Sequence, residues 1–510
     1  MFRRRTLAPL SDSRSAHPSS GRSRSTRRRF LSLGAATGLA GLLPSSIALS
    51  PPRAFGQPNP DQKFLFVIGA SGGASIIDSF LPVAEGMVVD REAARRRVVY
   101  PDQLISQPAG SNLRCVNRVP VSGPFHSEFP TQDLLARHYR DMCVVTVENT
   151  SVNHVIAQKR AVTGAGIDGG RTLMEAMAER WGDGLLLPNC NMSNGGYAEL
   201  GDRDVPLRAR GELIADPALF SLATHGSAGI ANAPLPSALR QVRDVRSQLE
   251  HASPFAAAHG SSPLRTRMLG LQQEVTRLED AGLIRRLLLI GDAEGIPTAE
   301  LGLAQSSEDA AQLQRIREVF PGIGEDSLQA QAALGFLLAR HGVACAISLG
   351  PSFAPNFLDD GSIPDTPIAF DYSHTAHIPA QNIMWSRLAM VIDGLVTLLS
   401  ETPHGEGSMW DRSLIYVATD FGRSKDRPTD SQTFGSGHHL NNGNLFLSPM
   451  LKGNRVYGGV DPETGLTFGV DENGTPAPGS VLREGHLYSL VAQAMDIDFA
   501  GRIDMSALLQ

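Results

Sequence analysis

Four apolar runs organise this chain: Lys63–Gly69, Met142–Val147, Val343–Leu349 and Leu414–Ala418. Each is almost continuously hydrophobic and opens into Gly, Asn or Asp, the pattern of a short strand buried on both faces. Helical spacing of apolar positions fills the intervals, at Leu134–Arg140, Val155–Val162, Thr172–Trp181, Ser327–His341, Ala380–Leu399 and Leu487–Met495. The alternation over 63–181 and again over 327–418 predicts an α/β fold, a mixed sheet flanked by helices. A further apolar run is expected at Gly443–Met450 and a turn at Arg455–Gly459. Residues 200–320 break the rhythm. Helices are expected at Pro236–His251 and Leu264–Leu289, so the segment reads as a helical insertion over one face or the entrance of the site, without flanking linkers of its own.

The first 56 residues have a different character. Ten arginines and one acid fall there, so residues 57–510 hold 36 basic against 51 acidic groups. Such an acidic body argues against nucleic-acid binding, which needs a basic face. Thr26-Arg27-Arg28-Arg29-Phe30-Leu31 fits the twin-arginine export pattern, carried by Arg27, Arg28, Phe30 and Leu31. A weakly apolar stretch to Leu49 follows, and Ala54-Phe55-Gly56 is a small-x-small cleavage site. The expectation is passage through the twin-arginine machinery into the periplasm or beyond. The alternatives are a disordered basic tail and an uncleaved anchor. No apolar run after residue 56 reaches spanning length, so no stable transmembrane span is expected in the mature chain. The four cysteines, Cys115, Cys143, Cys190 and Cys345, have no C-x-x-C spacing and read as buried free thiols.

Candidate chemistry gathers where the predicted strands end. Ala70–Ser75 is a glycine-rich turn able to bring backbone amides to an anion, but it lacks both the dinucleotide and the P-loop spacing. Ser71 and Ser75 in that turn are candidate nucleophiles that would need activation by a metal or a base, with turn hydrogen bonding as the alternative role. Asp371, His374 and His377 form a carboxylate–imidazole cluster suited to a divalent ion, or else a helix cap with surface histidines. Asp420 follows the last strand, and Arg423 offers a planar fork for sulfate or phosphate. Adjacent side chains diverge, so only one of His438 and His439 can turn inward. His154 leads a helix, as a cap or as a ligand contact, and is a candidate for anion binding. Asp420-Phe421-Gly422 is not a kinase signature, because no His-Arg-Asp loop precedes it.

Taken in order, several segments resemble the twin-arginine-exported bacterial family known as domain of unknown function 1501, within the alkaline phosphatase-like superfamily. They are the turn at 64–74, Asn153-His154 before Thr163-Gly164, the Asp371 cluster, Trp410–Ser413 leading to Phe421-Gly422-Arg423, and Gly435-Ser436 with His438. The resemblance implies a central mixed sheet and a two-metal site for phosphate or sulfate esters. One divalent ion (Zn, Ca, Mg or Mn) would sit on Asp371 with His374 or His377. Asp420 would stand for the family's usual Glu, and His438 for a later metal-binding His. The chain departs from that pattern in the first turn, which lacks the family's Arg and Asp and has Ser75 at the carboxylate position. Two readings follow: a degenerate member kept for binding or envelope assembly, and a metal-dependent sulfate or phosphate ester hydrolase.

Overall fold

The computed structural model describes residues 59–118, 129–225, 234, 236–266, 268–269, 283–301, 303–351, 369–428 and 434–510. The export motif and its cleavage site lie outside them.

Eight strands make one sheet: β1 (Phe64–Ala70), β2 (Met142–Glu148), β3 (Asn189–Asn191), β4 (Glu212–Leu213), β5 (Ala346–Leu349), β6 (Ser413–Thr419), β7 (Asn441–Leu447) and β8 (Arg455–Tyr457). Their spatial order is β4-β3-β5-β1-β6-β7-β2-β8. β7 pairs antiparallel with both β6 and β2, while every other pairing is parallel. The central strands are buried along their whole length apart from Glu148 at the end of β2, as their hydrophobic runs require.

Alternate residues of β1 separate the two faces. Phe64, Phe66 and Ile68 pack with α1 (Thr131–His138), α6 (Ser327–Arg340) and α7 (His377–Glu401). Leu65 and Val67 pack with α2 (His154–Thr163), α3 (Leu173–Trp181) and α8 (Glu484–Ala494). The result is three layers, helices on each side of a mixed sheet. α7 is long and apolar enough to cross a membrane, but 78% of its apolar window is buried, and it serves as the core helix of one face. All four cysteines are buried and free.

Two expectations change. Arg455–Tyr457 is an edge strand beside β2 rather than a turn, because Val456 and Tyr457 join the two cores. The segment 200–320 is not wholly an insertion: β4 extends the sheet, and Ile316 in α5 (Ser307–Val319) belongs to the main core. Between them lies α4 (Pro236–His251), with the predicted bounds. Ile284, Leu288, Ile290 and Leu303 form a small separate apolar cluster.

Candidate metal centre

Parallel strands present their carboxyl ends on one edge of the sheet, and the loops leaving them supply the site. β1 delivers the Gly72-Gly73 turn, β6 delivers Asp420, and β2 leads through residues 149–153 into α2, which begins at His154. β7 runs the other way, so its amino end meets the same edge, and His438 lies three residues before it. The reversed strand is thus what brings His438 to the other ligands.

His154, Asp371, His374 and His438 offer one ligand atom each, all within 4.8 Å of one another. Asp371 Oδ1 lies 3.3 Å from His154 Nε2, 3.3 Å from His374 Nε2 and 3.7 Å from His438 Nε2. The Nε2 atoms of His374 and His438 are 2.8 Å apart. A tetrahedral ion with metal–nitrogen bonds near 2.0–2.1 Å spaces its ligands by about 3.3 Å, so three imidazoles and one carboxylate at these separations fit a zinc-like cation. The cluster is open on one side, where the His374 side chain is 46% exposed.

Behind the four donors stands an ordered set of supports. His154 turns Nδ1 to Asp420 Oδ2 at 2.9 Å, and His438 turns Nδ1 to the Val152 carbonyl at 3.0 Å. These contacts fix which nitrogen faces the cluster, the usual arrangement around ligating histidines. Arg423 Nη2 donates to Asp371 Oδ1 at 2.9 Å. Phe421, fully buried, floors the site with its ring centroid 4.1 Å from that of His438 and 4.8 Å from that of His154.

Asp420 has no side-chain exposure, and its partners explain its place. Its carboxylate accepts from Gly72 N at 3.0 Å, Gly73 N at 2.7 Å and Phe421 N at 3.1 Å. The glycine-rich turn therefore does cradle an anion, and that anion is an internal carboxylate rather than a phosphate. Gly72 and Gly73 have φ of +94° and +81°, where side chains are strained. A Cβ on Gly72 would also fall 2.1 Å from the Asp371 nitrogen. The turn is pressed directly against the ligand loop.

Charge follows from these contacts. Burial disfavours the His154 imidazolium, but hydrogen bonds to Asp371 and Asp420 outweigh it and raise the group to about 9. Burial likewise opposes ionisation of Asp371. Hydrogen bonds from His154 and His438, with the charge of Arg423, hold its carboxyl well below the usual range. Burial lowers His374, and the Arg423 charge adds to the effect. Without a metal, the protonated His154 ring donates Nδ1–H to Asp420 and Nε2–H to Asp371.

Several expected site residues lie elsewhere. His377 is fully buried and apart from the cluster, with Nδ1 2.7 Å from Ser436 Oγ and Nε2 3.1 Å from Asp78 Oδ1. Asp78 also accepts from Tyr100 at 2.6 Å. The start of α7 carries His377 beneath the ligand loop instead of into it. Asp420 stands behind His154 rather than among the converging atoms. Arg423, expected to meet an external anion, is buried with no exposure. Its guanidinium is committed to the carbonyls of Gly72, Ser436 and Phe370 and to Asp371. Ser71 and Ser75 are both fully buried, and the Ser75 side chain lies beside the Asp78 carboxylate. Sequence reasoning missed the Ser436–His377–Asp78–Tyr100 network, in which Ser436 lies 336 positions from Tyr100 and 358 from Asp78, with no local motif. Comparison with protein-family models, curated proteins and solved structures finds no match.

Proposed function

We propose that the chain is an exported protein of alkaline phosphatase-like fold, built around one divalent-cation site and kept for binding rather than for ester hydrolysis. The convergence of His154, Asp371, His374 and His438 carries this reading. The donor set, three imidazoles and a carboxylate, suits zinc better than the oxygen-preferring Ca or Mg. Two further carboxylates that a second ion could use are already engaged. Asp420 is held by backbone amides and His154, and Asp78 by His377 and Tyr100. A single ion is the arrangement these partners support.

When bound, such an ion supplies a Lewis acid that polarises an oxygen ligand. The protein's own groups orient the site around it. Asp420 holds the His154 tautomer, the Val152 carbonyl holds His438, and Arg423 holds Asp371 while offsetting its charge. The exposed His374 side leaves an approach for an oxygen-bearing ligand, and this openness favours the second reading, a metal-dependent sulfate or phosphate ester hydrolase.

Elemental analysis and zinc titration of the purified protein test the proposal. The expected result is one tightly held ion per chain, lost in Asp371→Ala and His438→Ala, with no turnover of aryl phosphates or sulfates. Two ions and metal-dependent turnover would favour the hydrolase. Failure to bind Zn, Mn, Ca or Mg would end both readings.

A further inference from the structure

The helix α4 is amphipathic, yet it is turned inside out. Its large apolar residues Val242, Val245 and Leu249 follow the i, i+3, i+7 spacing of a single helical stripe and are 64%, 55% and 66% exposed. The half-buried side of the same helix is formed by Leu239, Arg243, Ser247 and Glu250, at i, i+4, i+8 and i+11. An ordinary surface helix buries its apolar stripe; here the stripe faces solvent. Phe255 in the next short helix, Pro254–His259, is 63% exposed, and Leu264 beyond it 78%. The stripe on α4, one helical face of large exposed apolar residues, marks an interaction surface rather than scattered surface residues, and Phe255 and Leu264 add exposed apolar area on the segment that follows it.

Its charge identifies the partner. Residues 236–266 contain four arginines, Arg240, Arg243, Arg246 and Arg265, against Asp244 and Glu250, whereas residues 57–510 as a whole are strongly acidic. Arg246 borders the apolar stripe, four residues after Val242 and three before Leu249, and pairs with Glu250 at 2.7 Å. An apolar row bordered by arginine on a locally basic segment is the pattern of a helix lying in a membrane interface, its apolar side among acyl chains and its cations at anionic headgroups.

We propose that the α4 face, with Phe255 and Leu264, docks the protein on an anionic lipid bilayer. Contact is peripheral and reversible: the acidic body is repelled by the same surface, so this basic patch sets the orientation in which the protein approaches.

Sedimentation of the purified protein with vesicles of phosphatidylcholine, with and without phosphatidylglycerol, tests the inference. Two net positive charges near an anionic surface predict binding stronger by about tenfold or more on the anionic vesicles, weakening as salt rises. Val242→Asp combined with Leu249→Asp is expected to abolish sedimentation while zinc titration stays unchanged, which separates loss of this surface from loss of the fold or of the metal site. Light scattering in solution is the second arm. No vesicle binding by the parent protein overturns the proposal. So does a dimer that the double substitution dissociates, since the stripe would then be the contact between two copies.

Discussion

Replacing Asp420 tests the construction of the site most directly. The Asp420→Ala variant removes one carboxylate and strands three buried N–H donors, those of Gly72, Gly73 and Phe421, which it satisfies at 2.7–3.1 Å. An orphaned buried donor costs about 1–3 kcal/mol, so the variant should lose about 3–6 kcal/mol once partial relaxation is allowed for. That is a large fraction of the about 5–15 kcal/mol that holds a typical domain together. His154 loses the acceptor on Nδ1 as well, so its ring is no longer fixed toward the cluster. Losing such a support weakens metal binding by about 10–100-fold. Urea unfolding of the metal-free protein reads the first quantity, and zinc titration against a competing chelator reads the second. Asp420→Asn should fall between, because its Oδ1 still accepts while its NH2 opposes an N–H donor. Unfolding within about 0.5 kcal/mol of the parent, together with unchanged zinc affinity, would refute the internal anion cradle; the threshold is that of an ordinary surface substitution.

Other expectations are as specific. Gly72→Ala should destabilise by several kcal/mol, on the order of 3, since it combines a strained φ with a 2.1 Å approach to Asp371; thermal unfolding will show it, and a neutral result would mean that the turn moves freely. Asp371→Asn should abolish zinc binding and also lower the unfolding temperature, because it leaves Arg423 buried beside a neutral group. His377→Ala should weaken zinc binding without touching the metal, because the His377–Ser436 contact ties the His438 loop to α7; His377→Asn, which can still reach Ser436, should restore part of it. For the metal-free protein, His154 is raised from 6.5 to about 9 in the fold, so its stabilising contribution is full below pH 6.5 and is lost as pH climbs toward 9. Unfolding curves across that window should show the decline, and His154→Gln should flatten it. The thiols of Cys115 and Cys143, pushed up by burial to about 12, should not react with an aromatic disulfide reagent until denaturant is added.

What was legible in the chain, and what was not, divides along a physical line. Strands buried on both faces and helices with apolar stripes write themselves locally, so β1, β2, β6, α4 and α6 can be read within a residue or two of their ends. Asp371 and His374 are candidate ligands by chemistry alone, since a carboxylate–imidazole cluster is itself a signal, although the same signal also picks His377, which lies apart; His438 is a candidate only through the family resemblance. Their partner was harder. By its place at a helix start His154 reads as a cap or an anion contact, yet Asn153 is the residue that caps α2, and this frees His154 to turn inward. The reversal of β7 was not legible at all. Antiparallel pairing with β6 and β2 depends on residues some 30 and 300 positions away, and only that reversal carries His438 to the edge where β1, β2 and β6 end. Arg423 shows the same limit from the other side. A guanidinium at a strand mouth invites an external anion, but whether it meets one depends on the carbonyls of Gly72, Phe370 and Ser436, which the chain brings together from three separate loops. Residue type states what a group can bind; only the closed fold states which binding partners have already been supplied from within. Here the fold has supplied partners for Arg423, Asp420 and His377, and the four side chains facing one another across an open mouth are the ones whose spacing could hold a metal.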